Sequence, residues 1–258
     1  MQSGFVNYNF INSAHNSVGT AAPAFILTST NGILLIVVLK ASKRKVSIVM
    51  IKNVVFDMGG VLINFDTERY IARFVPDAED HALIRRELFR SVEWIQLDRG
   101  VITDAEAVSA VCARLPEHLH QAVQDILDKW HQDVPPLDGI YNLVEELKRK
   151  GYCIYLLSNT SARFHSFRKN IPALHFFDGE FISADHHLIK PEPRIYQCFL
   201  EEFDLEGTEC VFIDDTPLNV EGAMQCGIKG IVYHGDPGLL RRQLQELGVD
   251  ADVTGSRG

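Results

Sequence analysis

Four places in the chain bring an apolar stretch to a stop beside a side chain with chemical reach. Val54-Val55-Phe56 runs into Asp57, Cys153-Ile154-Tyr155-Leu156-Leu157 runs into Ser158 and Asn159, and Cys210-Val211-Phe212-Ile213 runs into Asp214 and Asp215. Lys190 stands in the loop Leu188-Ile189-Lys190-Pro191-Glu192-Pro193. Singly, each has a plain reading: Asp57 capping a turn, Ser158 capping the next helix, Lys190 as a solvated loop charge. As a set they describe a site. Three carboxylates at neighbouring strand ends repel one another unless a cation sits among them, and hard oxygen ligands suit Mg²⁺. The Ser158 hydroxyl, backbone N–H groups at Ser158 and Asn159, and the Lys190 ammonium are donors for a tetrahedral dianion. That combination would hold a phosphoryl group beside Mg²⁺ and leave Asp57 free to attack phosphorus, giving a phospho-aspartyl intermediate that water later hydrolyses.

The elements that must position these residues are legible in the apolar periodicity. The short strand ending at Asp57 is followed by Gly59-Gly60, a turn signal. From Asp66 to about Trp130 the apolar residues recur at helical spacing, as in Val108, Val111 and Leu115 or Val123, Ile126, Leu127 and Trp130, with no strand signal between them. Pro135-Pro136 closes this helical block. A helix carrying Ile140, Leu143, Val144 and Leu147 on one face stops at Gly151 and leads to the strand ending at Ser158. Thereafter the pattern predicts a helix near Ala162 to Lys169, a strand from Glu180 to Ser183, a helix from Glu192 to Phe203 and the strand ending before Asp214. A helix from Leu218 to Cys226, a strand from Lys229 to Tyr233 and a last helix near Gly238 to Leu247 complete it. Strands alternating with helices imply an α/β fold, a parallel sheet covered on both faces. In such sheets ligands bind outside the carboxyl ends of the strands, where the candidate residues stand.

Composition narrows the partners. The chain has 258 residues, Asp+Glu 34 against Lys+Arg 25, and a net charge of −9. Residues 1–49 contain no acid and the bases Lys40, Lys43, Arg44 and Lys45, so taking those four charges from the total leaves −13 on the remainder. An acidic body without a basic cluster excludes a nucleic-acid partner, because affinity for a polyphosphate backbone comes from grouped Lys and Arg. The five cysteines, Cys112, Cys153, Cys198, Cys210 and Cys226, are scattered and form no CxxC pair, as expected of reduced thiols in a cytoplasmic protein. Residues 1–49 are expected to be an extension without a fold of its own. Their apolar part, Ala21 to Leu39, precedes its basic group, the reverse of a secretory leader. A membrane anchor, an ordered extra element, or a natural start at Met50 are the alternatives, and no membrane partner is expected of the body.

The four stretches, Phe56-Asp57-Met58-Gly59-Gly60-Val61-Leu62, Leu156-Leu157-Ser158-Asn159-Thr160, Ile189-Lys190-Pro191-Glu192-Pro193 and Phe212-Ile213-Asp214-Asp215, resemble in order the four motifs of the haloacid dehalogenase (HAD) superfamily. The resemblance runs from Met50 to about Tyr233. It implies a Rossmann-like α/β core at 50–65 and 136–258 and an inserted helical cap of the C1 type at 66–135. It implies Asp57 as nucleophile, Ser158 and Lys190 as phosphate-binding catalytic residues, and Mg²⁺ held by Asp57, the Gly59 backbone carbonyl, Asp214 and Asp215. Asn219 would support the loop after the paired acids. The expected partner is a small phosphorylated metabolite, and the protein is expected to act as a monomer or homodimer.

One position departs from that pattern. Most phosphatases of the superfamily carry a second Asp two residues after the nucleophile to protonate the leaving group; here it is Gly59. General acid–base help is worth about a hundredfold to ten-thousandfold. The first motif resembles the subgroup containing bacterial alpha-D-glucose-1-phosphate phosphatase, which points to a sugar phosphate, whose anomeric oxygen leaves readily. Asp66, His186 and His187 are positional candidates for the missing acid, each with a structural reading beside it. Cap residues Trp94-Ile95-Gln96-Leu97-Asp98-Arg99-Gly100 offer Arg99 as a substrate-binding group, or alternatively a loop salt bridge. A 2-haloacid dehalogenase, which needs no acid on its leaving group, and a catalytically weak binding protein are the rival readings.

Overall fold

The computed structural model describes residues 24–30, 33–39, 50–132 and 134–251. Residues 1–48 and 49–258 form two units. In the first, strands β1 (Ala24–Thr30) and β2 (Ile33–Leu39) pair antiparallel, with Thr30 opposite Ile33 and Ala24 opposite Leu39. An extension expected to have no fold of its own thus carries paired strands. Asn31-Gly32 between two apolar runs is the strongest short hairpin signal a sequence offers. Among the described residues no helix is long and apolar enough to cross a membrane.

The second unit is built on a five-stranded parallel sheet. Chain order gives β3 (Asn53–Phe56), then α1 (Thr67–Phe74), α2 (His81–Ile84) continuing into a π-helical turn at Arg85–Phe89, α3 (Val92–Asp98), α4 (Asp104–Cys112) and α5 (His120–Lys129). After these come α6 (Ile140–Arg149), β4 (Cys153–Ser158), α7 (Phe164–Phe167), β5 (Gly179–Ile182), α8 (Ser183–His186) and α9 (Pro193–Glu202). Strand β6 (Cys210–Asp214), α10 (Pro217–Gln225), β7 (Lys229–Val232) and α11 (Pro237–Glu246) complete the unit. The sheet order is β5-β4-β3-β6-β7, so β3 is central and the chain crosses from one side of it to the other between β5 and β6. Asp57, Ser158 and Asp214 therefore end three adjacent strands. That is the crevice at a topological switch point where α/β sheets bind ligands.

The two faces of the sheet build separate cores. Val54, Phe56, Ile154, Leu156, Val211 and Ile213 pack with α6 and α11 on one side. Val55, Tyr155, Leu157, Phe181 and Phe212 pack with α9 and α10 on the other. This is the period of two that a strand imposes on its side chains. The helices at 66–135 have a core of their own, including Ile71, Ile84, Leu88, Val111, Val123 and Ile126. Each crossing between the parts is braced by the other: Asn64 N–H donates to the Pro135 carbonyl at 2.8 Å, and Leu137 N–H to the Leu62 carbonyl at 3.0 Å.

Within the second unit the elements fall where the periodicity puts them, with two exceptions. The helix expected near Ala162 to Lys169 is four residues of α-helix followed by a tighter turn at Arg168–Asn170. Pro172 lies ahead and disfavours helical backbone at the residue before it. The strand expected to reach Ser183 stops at Ile182, and Ser183 begins α8. Its hydroxyl contacts the carbonyls of Thr160 and Asp98, a tertiary role that β-propensity does not encode.

Candidate active site

Strand β3 delivers Asp57 to the centre of the crevice because Val54, Val55 and Phe56 are fully buried and fix its direction. Asp57 N–H donates to the Ile213 carbonyl at 2.9 Å, so the residue continues the ladder to β6 before the chain turns away. Asp214 ends β6 with its side chain fully buried and heavily hydrogen-bonded. Its Oδ1 accepts from Thr216 N–H at 2.8 Å, and the Asn219 side-chain amide lies 3.2 and 3.1 Å from its two oxygens. Asn219 thus holds Asp214, and the Tyr196 hydroxyl donates to the Asn219 carbonyl at 2.7 Å. Carboxylate oxygens of Asp57, Asp214 and Asp215 lie within 4.8 Å of one another.

Lys190 sits between two of these acids. Its ammonium is 2.8 Å from Asp57 Oδ1 and 2.6 Å from Asp214 Oδ2, and it donates to the Leu157 carbonyl at 3.1 Å. The side chain is wholly buried. Burial alone would lower its affinity for a proton; the Asp57 and Asp214 carboxylates outweigh that and raise it. Asp57 is pushed up to about 7, by burial first and by the charge of Asp214 next, against the pull of Lys190.

Asn159 fixes the lysine. Its side-chain carbonyl accepts from Lys190 N–H at 2.8 Å and its amide donates to the Lys190 carbonyl at 3.1 Å. Both ends of the Asn159 side chain are spent on that loop, so it positions Lys190, while still lining the cavity. Ser158 is buried at the end of β4 and is not among the lining residues, whereas Thr160 is.

The cavity over this floor has a volume of about 270 Å³. Its lining combines the polar groups Asp57, Gly59, Lys190 and Asp215 with the rings of Phe65, Trp94 and Trp130. Phe65 packs edge to face against Trp130 with centroids 5.3 Å apart, and Trp94 packs at a tilt with its centroid 6.3 Å from that of Trp130. The donor set fits a hard divalent cation: three carboxylates close enough to share one ion, beside a glycine turn. Gly60 has φ +71, and a Cβ there would lie 2.1 Å from Asp215 Oδ2, so the turn's approach to the acid requires glycine.

Arg99 does not line this cavity. Its guanidinium is ion-paired with Glu192, with Nη1 3.1 Å from Oε2. Its neighbour Asp98 lines it instead. Asp98 is pushed up to about 7 by burial and by the charge of Asp57, against the Lys190 charge and hydrogen bonds from the Ser161 backbone and the Trp94 side chain. The three positional candidates for an acid have other partners. Asp66 caps α1, accepting from Glu68 and Arg69 N–H at 3.0 and 3.3 Å. His186 stacks on Phe181 with centroids 3.7 Å apart, and His187 Nδ1 lies 3.3 Å from the Arg99 carbonyl. Sequence reasoning included Asp98 in a cap segment but gave it no role in proton transfer. Phe65, Trp130 and Thr160 were not singled out, because no local pattern marks a residue that faces a cavity formed by distant elements.

Comparison with known proteins agrees with this architecture. The chain is 28% identical over 195 residues to a D-ribitol-5-phosphate phosphatase of Bacteroides thetaiotaomicron, covering 70% of this chain and 90% of that protein. It is 27% identical over 184 residues to a sesquiterpene phosphatase of Aspergillus oryzae, covering 70% and 88%. Among solved structures it resembles a HAD family enzyme from Bacteroides thetaiotaomicron in complex with magnesium and inorganic phosphate, with a TM-score of 0.58 at 26% identity over 72% of this chain and 95% of that one. A model of the haloacid dehalogenase-like hydrolase family matches residues 51–227, which include four of the five sheet strands, the helices at 66–135 and all four motifs, and the chain belongs to that family.

Proposed function

We propose that the protein is a Mg²⁺-dependent phosphatase that hydrolyses a small phosphate monoester through a phospho-aspartyl intermediate on Asp57. The observation that carries this reading is the buried ammonium of Lys190 between Asp57 and Asp214, with Asp57, Lys190 and Asp215 lining one cavity. Asp57, Asp214, Asp215 and the Gly59 carbonyl would hold the ion. When bound, Mg²⁺ would neutralise the carboxylates and the charge developing on the phosphoryl oxygens. Asp57 forms a bond to phosphorus as the ester bond to the leaving oxygen breaks. Lys190 stabilises the phosphoryl oxygens, and Asn159 keeps Lys190 in register. Water then attacks phosphorus, frees Asp57 and releases orthophosphate.

The cavity suits a small leaving group. A sugar or polyol phosphate is supported by the resemblance of the first motif and by the ribitol-5-phosphate phosphatase among the relatives. A second reading, the phosphate of an apolar alcohol, rests on the Phe65, Trp94 and Trp130 wall. The deciding experiment is a phosphate-ester panel containing both classes, with Mg²⁺ and with EDTA. Hydrolysis that survives the chelator, or survives Asp57→Asn, would refute the mechanism. Chloride release from 2-chloropropionate without phosphate-ester turnover would favour the dehalogenase instead. Absence of turnover on every substrate would favour the binding protein.

A further inference from the structure

We propose that Asp98, carried by the cap, is the general acid and base that the Gly59 position lacks. The inference rests on the phosphatase reading above and deepens it. Gly59 has no side chain to offer a proton, while among the described residues the cavity in which Asp57 stands holds one further carboxyl from outside the strand-end cluster, that of Asp98. It reaches the site from the C-terminal end of α3, the side opposite the sheet.

The placement is built, and from both parts of the molecule. Asp98 lines the cavity together with Trp94 of the cap and with Asn159 and Thr160 of the core. Its backbone carbonyl accepts from the Ser183 hydroxyl of α8. Next in sequence, Arg99 pairs with Glu192, two residues after Lys190. Gly100, at φ +70, seats the turn directly on α8: a Cβ there would lie 2.3 Å from the Ala184 carbonyl. Three consecutive residues of the cap are therefore tied to the core, and the one carrying a carboxyl faces the cavity. Burial beside Asp57 also keeps a proton on that carboxyl to higher pH than an exposed aspartate would.

The proton bookkeeping closes. As the Asp57 oxygen bonds to phosphorus and the ester oxygen departs, Asp98 gives its proton to that oxygen and the alcohol leaves. Asp98, now a carboxylate, takes a proton from the incoming water as the water oxygen bonds to phosphorus and the Asp57 oxygen departs. Ester and water have become alcohol and orthophosphate, and both aspartates return to their starting state. Because the acid arrives on the cap, the first step is complete only when cap and core are docked, which couples chemistry to exclusion of water.

The test is leaving-group dependence. Wild type, Asp98→Asn and Asp98→Glu are compared on an aryl series from p-nitrophenyl phosphate to phenyl phosphate, with Mg²⁺, alongside their melting temperatures. A good leaving group needs little acid help. Asp98→Asn should lose about a hundredfold or more in kcat on phenyl phosphate, and less than about tenfold on p-nitrophenyl phosphate, with KM little changed. Asp98→Glu should recover part of the loss on phenyl phosphate. Equal losses across the series, or no loss, overturn the role of Asp98 and leave the phosphatase reading standing. If no Asp57-dependent hydrolysis is seen in the wild type, the phosphatase reading falls and this inference falls with it.

Discussion

Arg99 of the cap and Glu192 of the core form an ion pair 93 residues apart in sequence, and Glu192 stands two residues beyond Lys190. The guanidinium is thereby occupied by the protein itself. Arg99→Gln should leave kcat within about threefold on p-nitrophenyl phosphate, because a partly exposed pair contributes only about 0.2–1 kcal/mol. Steady-state kinetics at low and high salt check this. A hundredfold rise in KM would instead put Arg99 on the substrate.

Lys190 gives the sharpest expectation for stability. Replacing it with Met leaves the buried Asp57 and Asp214 carboxylates without their shared cation. Removing one partner of a buried pair costs about 3–5 kcal/mol. Lys190→Met should melt well below wild type without metal and recover part of the difference as Mg²⁺ is added, since a ligand that binds only the folded state stabilises by mass action. Calorimetric melts across a Mg²⁺ titration would show it; a variant that melts like wild type in EDTA contradicts the structure.

Gly60 tests the proposed metal site from the backbone side. Gly60→Ala forces a Cβ against Asp215 Oδ2 at a positive φ. The expected result is a loss of about 1–3 kcal/mol in stability together with weaker Mg²⁺ binding by titration calorimetry. A control, Gly227→Ala, also has a positive φ but meets nothing within 4 Å, so it should lose stability and keep Mg²⁺ affinity.

Away from the site, Glu146 of α6 is 2.6 Å from Arg241 of α11 and 3.1 Å from Lys150. Burial would raise its carboxyl; the hydrogen bonds from Arg241 and Lys150 outweigh that and hold it below the ordinary glutamate value. A depressed folded value means stability that is present above the unfolded value and lost as pH falls through the folded one. Glu146→Gln should therefore cost about 1–3 kcal/mol at pH 7, and the gap to wild type should narrow below about pH 4. Urea melts at the two pH values measure it, and a constant gap would contradict the pairing.

The sequence by itself determined the sheet, its parallel sense and the residues at its strand ends. A strand two-sidedly buried must read as an apolar run, and Val54-Val55-Phe56 and Cys210-Val211-Phe212-Ile213 do, so Asp57 and Asp214 are marked by where those runs stop. The family resemblance, not the apolar pattern, pointed to Asn219 beside the paired acids, and its side-chain amide bonds Asp214. Tertiary structure alone decided what faces what across the cavity. Asp98, Trp94, Trp130 and Phe65 meet over Asp57 because the cap docks on the core through Ser183, Glu192 and Ala184. Arg99 and Asp98 are adjacent in sequence, yet one turns to a core glutamate and the other into the site. Periodicity reports which face of an element is buried; it carries no information about the partner that buries it, because that partner is set by contacts between residues far apart along the chain.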